Sequence, residues 1–437
     1  MTRRRLRVLV ATVPLTGHVQ PMLLVARALI EAGHDVTWYA ATKFAARIAA
    51  VGARFAPMNA ALDWDDADLD AALPALRGSR GLTRVKLQLR ELFIAPMIDQ
   101  LRDLDALIGA DRPDLILADQ AHLGAALAAE RHALPWVGLG ISALVIPSAD
   151  TAPFGVARPP ARHALDRLHH RALSWLVDRV LFRAVHRAYR AGRVQAGLAA
   201  GEGTYFEVVA PDLFLQPTVP SFEYPRSDLP PQVQFIGPLI PPASTTAPLP
   251  AWWADVTAAR AAGTAIVLVT QGTLATDPRD LIGPGLRGLA GQPVLVVATS
   301  AAAPRDVGLA TWPANARVAP YIPYQALLPH VSVMVTNGGY GGVQMALGHG
   351  VPLVVAGGSE EKPEIAARVA WSGVGLDLRC GRPRDAAVRR AVRRVLAEPT
   401  YAARARVLAD ECAGHDAPRA AVAAIERLSA RRQREAA

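Results

Sequence analysis

The sequence has 437 residues, of which 51% are hydrophobic and 19% are charged, and its formal net charge is +9. This length exceeds what one hydrophobic core usually supports and favours two domains, while the composition excludes an intrinsically disordered chain. Two cysteines, Cys380 and Cys412, are too few for a disulfide scaffold and favour a reducing, cytoplasmic location.

The basic and apolar stretches exclude several further classes. No apolar run reaches the roughly 20 residues that a membrane-spanning helix needs. The apolar run at 6–15 is interrupted by Arg7, so we interpret it as a buried strand and not as a secretory signal. Residues 158–193 alternate arginine and histidine with apolar residues. A solvated helical face is the favoured interpretation, an anionic acceptor or membrane surface is the less favoured one, and no nucleic-acid-binding motif accompanies the charge.

Short β-rich runs alternate with amphipathic helical segments along most of the chain. The predicted strands are 6–13, 35–40, 113–119, 136–141, 265–270, 294–299, 331–335 and 353–356, with helices at 20–32 and 123–132. This alternation is typical of parallel sheets with crossover helices. It predicts an α/β fold of two facing Rossmann-like domains, each a parallel sheet flanked by helices, with a cleft between them.

A proline-rich stretch divides the two alternating regions. We therefore predict a first domain at 1–215, a linker at 216–250, a second domain at 251–415 and a C-terminal helix at 416–437. One alternative is that the C-terminal helix packs back on the first domain. Because ligands of such sheets bind outside the carboxyl ends of the strands, the chemistry should lie in loops that follow strands, in the cleft.

Four glycines stand between a β-branched run and a helix-like run, in the segment Thr-Asn-Gly-Gly-Tyr-Gly-Gly-Val at 336–343. Such a cluster indicates left-handed dihedrals or the close approach of a ligand. We expect the loop 337–342 to lead into a helix near Val343, whose free amides hold a phosphate. A plain strand-to-helix turn is one alternative. A dinucleotide-dependent oxidoreductase is another, but the segment lacks the third glycine of that fingerprint and an acidic residue at the end of the next strand.

Several motifs around this loop carry a family resemblance. Tyr321-Ile-Pro, Leu327-Leu-Pro, Gly350-Val-Pro and Glu361-Lys362 surround it, and Gly17-His18-Val-Gln-Pro21 follows the first strand. Together they resemble the UDP-glycosyltransferase family, inverting enzymes of the GT-B fold, and in particular its bacterial macrolide and natural-product members. The resemblance implies transfer of a sugar from a UDP- or dTDP-sugar to a hydroxyl of a small, largely apolar acceptor, with no metal and no other cofactor.

The resemblance also assigns roles to residues. His18 would be the general base, and Asp119 would orient its ring and stabilise the imidazolium. Tyr321 would stack on the nucleobase while the backbone of Ile322 pairs with the base edge. The donor-binding set implied in this way is Gly272, Thr273, Tyr321, Ile322, Asn337, Gly338, Gly339, Gly341, Gly342, Glu361 and Lys362.

Four positions depart from the family pattern. Asn337 replaces a histidine that touches the diphosphate, although its amide can still donate a hydrogen bond. Gly342 replaces a serine or threonine, and Lys362 replaces a glutamine beside the sugar. Met345 replaces a glutamate that grips ribose hydroxyls, which keeps dTDP-sugars open beside UDP-sugars.

The acceptor and the assembly are less defined. Apolar residues of the first half suit either a large aglycone or the core: Trp64, Leu92, Phe93, Val145 and Phe154. Two other functions stay open, a catalytically silent homologue that binds or activates a partner and a peripheral-membrane enzyme that glycosylates lipid. The sequence does not choose between a monomer and a homodimer.

Overall fold

A computed structural model describes residues 4–242, 248–272 and 277–436. In the described part of the first domain, a seven-stranded parallel sheet has the order β3-β2-β1-β4-β5-β6-β7. Its strands are β1 (Arg7–Ala11), β2 (Asp35–Ala40), β3 (Arg54–Pro57), β4 (Leu115–Asp119), β5 (Trp136–Leu139), β6 (Leu213–Gln216) and β7 (Val233–Phe235). Its helices are α1 (Thr16–Glu31), α2 (Ala45–Ala50), α3 (Leu69–Ala72), α4 (Gly81–Gln88), α5 (Met97–Ala110), α6 (Leu123–Arg131), α7 (Ala164–Leu176) and α8 (Arg183–Gln195). Two π-helical segments, Leu89–Ile94 and Val177–Leu181, continue α4 and α7.

The second domain repeats this plan. Within the described residues its six-stranded parallel sheet has the order β10-β9-β8-β11-β12-β13. The strands are β8 (Ala265–Thr270), β9 (Val294–Thr299), β10 (Ala316–Ala319), β11 (Val333–Thr336), β12 (Leu353–Val355) and β13 (Gly375–Asp377). The helices are α9 (Trp253–Ala261), α10 (Ile282–Leu289), α11 (Tyr324–Leu327), α12 (Tyr340–Gly348), α13 (Lys362–Trp371), α14 (Asp385–Ala397), α15 (Pro399–Ala413) and α16 (Ala417–Ala436).

The predicted α/β architecture is confirmed. In both sheets the order in which strands are added reverses beside the first strand of the domain. β1 pairs with both β2 and β4, and β8 pairs with both β9 and β11. At such a switch point, neighbouring loops diverge and leave a crevice at the carboxyl ends of the strands. The loops after β1 and β4 therefore open together in one domain, and those after β8 and β11 open together in the other.

Alternating side chains of the second sheet fill two separate cores. Ile266 and Leu268 pack into one apolar cluster, whereas Val267 and Val269 pack into another on the opposite face. Because successive side chains of a strand point to opposite faces, a sheet buried on both sides needs such a continuous apolar run.

Two elements join the domains in ways that the local sequence does not reveal. β7 lies within residues 216–250 and pairs with β6, so this proline-rich segment contributes a strand to the first sheet. Helix α16 contacts α1 and β6, and its Ile425 and Leu428 are buried in the core of the first domain. Helix α16 therefore packs on the first domain, although it follows the second domain in the sequence.

Buried polar contacts fix the two domains against each other. Arg368 of α13 donates from Nε to Glu223 at 2.8 Å and from Nη2 to the carbonyl of Leu144 at 3.3 Å. At the end of β6, Gln216 Nε2 donates to the hydroxyl of Tyr340 at 2.8 Å. Since buried charges and amides need partners, these pairs fix the domains in one relative position.

Candidate active site

His18 lies in the first turn of α1. The sequence predicted a helix near Gln20–Ala32, and this predicted start is four residues too late because α1 begins at Thr16. The helix has no side-chain cap from its own start. Instead Asp66, fifty residues away, accepts from the Thr16 amide at 2.6 Å and from its hydroxyl at 3.0 Å. A cap from a distant loop leaves no local sequence signal, which explains the error.

His18 and Asp119 are adjacent at the switch point of the first sheet. Their Nδ1 and Oδ1 atoms lie 3.2 Å apart, with side-chain exposures of 11% and 0%. The ring nitrogen is not directed at the carboxylate well enough for a hydrogen bond. Such catalytic contacts are often loose without substrate. The carboxylate is held independently, because it accepts from the amides of Val13 at 2.9 Å and Ala121 at 2.8 Å.

The electrostatics of this pair favour an ionised aspartate. Burial alone would raise the pKa of Asp119, but attraction to His18 and the Val13 amide outweigh burial and hold that pKa below its usual value. A fixed carboxylate beside Nδ1 leaves Nε2 free to accept a proton. The ring of Phe93, from the first π-helical segment, stacks against His18 with centroids 6.3 Å apart. Phe93 therefore lines the site next to the His18 ring.

On the facing domain, α12 presents the glycine amides. The helix begins at Tyr340, not near Val343 as predicted, so Gly341 and Gly342 belong to its first turn. First-turn amides have no intrahelical acceptor and form an anion-binding end. A Cβ atom added at Gly341 would have no protein atom within 4 Å, so this position faces open space. The Tyr340 hydroxyl, held by Gln216, anchors the helix end from the first domain.

Two glycines beside this helix are required by backbone geometry. Gly338 has φ of +89°, and a Cβ atom there would lie 2.8 Å from Val355. Gly272 has φ of +72° and follows β8. Between them, Asn337 Nδ2 donates to the carbonyl of Gln271, while its Oδ1 is buried and finds no partner in the described part of the chain. The Asn337 amide therefore links the two loops, and this contact uses one of the hydrogens that we expected to be available to the diphosphate.

The predicted nucleobase residues lie together after β10. Tyr321 is 63% exposed, so its ring is not packed against the neighbouring prolines, whereas Ile322 is buried. Within the described ranges, the main chain of Ile322 makes no hydrogen bond to the protein. An open ring next to unpaired main-chain groups suits a stacked base whose edge is hydrogen-bonded. Thr273, the remaining predicted donor residue, lies outside the described residues.

The last two predicted donor residues, Glu361 and Lys362, lie at the start of α13 in the second domain. Burial raises the pKa of Glu361, as does repulsion from Glu360, whereas attraction to Lys362 and to His18 lowers it. Of these influences, the attraction to His18 is the one that comes from the first domain. Lys362 pairs its ammonium with Glu360, a non-glycine residue at φ of +57°. The cation at Lys362 is therefore neutralised locally.

Further residues of the site escaped sequence reasoning because they act through distant contacts. His122 is buried near Asp119, Asp66 caps α1, Gln216 holds Tyr340, and Glu364 accepts from the amides of Gly155 at 2.9 Å and Ala157 at 2.7 Å. Among the proposed acceptor residues, Leu92 is buried, while Trp64, Phe93, Val145 and Phe154 are partly exposed.

Comparisons with known proteins identify the family and the fold. The family model described as erythromycin biosynthesis protein CIII-like, C-terminal domain, matches residues 293–428. A 4'-demethylrebeccamycin synthase from Lentzea aerocolonigenes is 45% identical and covers 97% of this chain and 99% of that protein. UDP-glucosyltransferase A1 from Starmerella bombicola is 32% identical, covering 97% and 92%. The chain belongs to the UDP-glycosyltransferase family.

The fold of this glycosyltransferase also matches a solved structure. The calicheamicin glycosyltransferase CalG4 superposes with a TM-score of 0.75 at 22% identity, covering 98% of this chain and 99% of that one. At this identity the match concerns the fold, which is GT-B. The recognition made from the sequence motifs is thereby confirmed, and the chain is a natural-product glycosyltransferase.

Proposed function

We propose that this glycosyltransferase is inverting and moves a sugar from a nucleoside diphosphate donor to a hydroxyl of a small, largely apolar acceptor. The observation that supports it most is the opposition of two switch points. One presents the paired His18 and Asp119, and the other presents the free amides that begin α12. An acceptor hydroxyl near His18 and a diphosphate on α12 would hold the anomeric carbon between them.

In the proposed reaction, the acceptor oxygen bonds to the anomeric carbon as the bond from that carbon to the diphosphate oxygen breaks. His18 Nε2 takes the acceptor proton, and Asp119 stabilises the resulting imidazolium. Charge on the leaving diphosphate is met by the first-turn amides of α12, a preorganised dipole end. The proposal includes no metal, because these amides supply the positive potential. Phe93, stacked on His18, is proposed to contact the acceptor's apolar body.

A direct experiment compares wild-type protein with His18→Ala. Donor binding is measured by calorimetry with UDP and dTDP, and transfer by mass spectrometry with UDP- and dTDP-glucose and a panel of phenolic and macrolide aglycones. We expect His18→Ala to lower turnover by about 100-fold or more with unchanged nucleotide affinity. Product with the anomeric configuration opposite to that of the donor, read by NMR, supports inversion. Full transfer by His18→Ala would refute the assignment of the base.

The same panel separates the alternatives. Nucleotide binding without transfer to any acceptor would favour the catalytically silent homologue. Tighter binding of dTDP than UDP would fit Met345, since a deoxyribose has no 2′-hydroxyl for a glutamate to grip.

A further inference from the structure

Helix α7 exposes its apolar face. Leu165, Leu168 and Trp175 are 78%, 61% and 63% exposed, and Leu176 and Val180 follow at 42% and 55%. Positions 165, 168, 172, 175 and 176 share one side of a helix. A surface helix normally turns such a stripe toward the core, yet the only residue that α7 buries is His170. Helix α7 therefore exposes an apolar stripe in addition to its solvated arginines.

Arginines surround this stripe and hold most of the net charge of the chain. Residues 158–193 contain nine arginines and two aspartates, a net +7 (9 − 2), which leaves +2 (9 − 7) for the rest of the sequence. Arg167 pairs with Asp150 and Arg193 with Glu130. Arg158 contacts His169, and the other exposed arginines of this stretch that form no ion pair with any described residue are Arg162, Arg171, Arg179, Arg183 and Arg187.

We propose that this α7 surface, comprising Leu165, Leu168, Trp175, Leu176, Val180 and the five unpaired arginines, docks on an anionic lipid bilayer. The apolar stripe enters the boundary between headgroups and acyl chains, and the arginines extend to lipid phosphates. A tryptophan suits this boundary because its ring is apolar and its N–H is polar. The boundary of an anionic bilayer combines an apolar layer with phosphates, so an apolar stripe bordered by unpaired arginines fits it better than an acidic protein surface.

This docking would be peripheral. No helix in the described parts of the chain is long and apolar enough to cross a bilayer. The inference does not depend on the proposed sugar transfer, because it is tested by binding alone.

The experiment is sedimentation of the full chain with vesicles of equal parts phosphatidylglycerol and phosphatidylcholine, and with vesicles of phosphatidylcholine alone. We expect binding to the anionic vesicles that weakens as salt rises, and little binding to the neutral ones. Two variants divide the contributions. Leu168→Ser with Trp175→Ser removes the apolar part, and Arg171→Gln with Arg179→Gln and Arg183→Gln removes the charge. Each should weaken binding by about tenfold or more.

A matched control removes three exposed arginines elsewhere, as Arg390→Gln, Arg393→Gln and Arg431→Gln, and should bind like wild type. Circular dichroism confirms that every variant is folded. Failure of the wild-type chain to bind anionic vesicles overturns the proposal. Equal weakening by the control also overturns it, because net charge alone would then explain binding. A wild-type dimer that Trp175→Ser converts to monomer, without vesicle binding, would assign the surface to a second copy instead.

Discussion

A second histidine, His122, lies beside His18 and Asp119. Its Nδ1 accepts from the amide of Ala125 at 3.1 Å and so caps α6, while its Nε2 is buried and has no hydrogen-bond partner among the described residues. Burial lowers the pKa of His122 to about 4, although Asp119 attracts the charged form. A neutral imidazole here avoids placing a second positive charge near His18.

This shift predicts acid sensitivity of the first domain. Between about pH 6.5 and pH 4 the unfolded chain binds a proton at His122 that the folded chain does not, so the free energy of unfolding falls as pH drops through this window. The full loss is about 3 kcal/mol. His122→Asn keeps a capping oxygen for Ala125 but cannot titrate. Urea unfolding near pH 7 and pH 5 should show a smaller pH dependence in His122→Asn than in wild type, whereas exposed His415→Asn should match wild type. Equal pH dependence in all three would contradict this account.

Substitutions at two glycines of the loop 337–342 would report on different properties, folding in one case and ligand binding in the other. At Gly338 a side chain would strain the backbone and strike Val355, so its loss would report on folding. Gly341 has open space where a Cβ would stand, so Gly341→Val should leave the fold intact and obstruct only a ligand. We expect nucleotide affinity to fall about tenfold or more, with an unchanged denaturation midpoint. Gly109→Val, in an equally open helical position of α5, is the control. Calorimetry that finds wild-type affinity in Gly341→Val would reject the phosphate cradle.

At the level of elements, α13 connects three parts of the site. Its start carries Glu361 opposite His18, its first turn carries Glu364, and Arg368 follows one turn later. Glu364 binds the amides of Gly155 and Ala157 through one oxygen and Arg368 through the other. Ala157 is a non-glycine residue at φ of +54°, a conformation that persists only where surrounding contacts hold it. Glu364 thus fastens the loop before α7 to the donor domain.

Removing this carboxylate should release the loop. In Glu364→Ala, hydrogen–deuterium exchange should rise across 150–160, and the acceptor KM should increase while nucleotide affinity stays unchanged. Stability should also fall, by about 3–5 kcal/mol, because Arg368 loses a buried partner. Glu364→Gln keeps an oxygen for the two amides and should protect the loop more than Glu364→Ala. Glu398→Ala, at a partly exposed carboxylate that pairs with Arg394, provides the control. If exchange at 150–160 did not change in Glu364→Ala, the carboxylate would not be the fastening.

Elements also show where sequence reasoning succeeds and where it stops. The strand bounds Asp35–Ala40, Ala265–Thr270 and Val294–Thr299 match the prediction, and the last two are the near-continuous apolar runs that a buried parallel strand needs. The starts of α1 and α12 were misplaced by three to four residues. Both starts are stabilised from far away in sequence, α1 by Asp66 and α12 by Gln216, so local capping signals are missing. Motif spacing located His18 and Asp119, but tertiary contacts alone identify His122 and Glu364.

Across the whole molecule, the six-stranded sheet repeats the order of the first six strands of the seven-stranded sheet, so each domain has a switch point beside its first strand. The two α/β domains could be predicted from the sequence, because each alternation of strands and helices is a local pattern. The packing of α16 on α1 is not encoded in that way. It depends on apolar positions such as Ile425 and Leu428, and on a contact between His34 Nε2 and Glu426 at 3.2 Å. Helix α1 also carries His18, so the last helix supports the element that holds the proposed base.

Substitution of Ile425 tests whether α16 stabilises the first domain. Ile425 is fully buried in the core of the first domain, although it lies near the end of the chain. Ile425→Ala should lower the free energy of unfolding by about 2–4 kcal/mol through lost burial and a residual cavity. Exposed Arg431→Ala, in the same helix, should change it little. Because a bound nucleotide stabilises the domain that holds it, the transition that dTDP raises in calorimetry marks the second domain. Ile425→Ala should lower the other transition and weaken turnover through movement of α1. If the variant lowered only the dTDP-sensitive transition, α16 would belong energetically to the second domain and would not support His18.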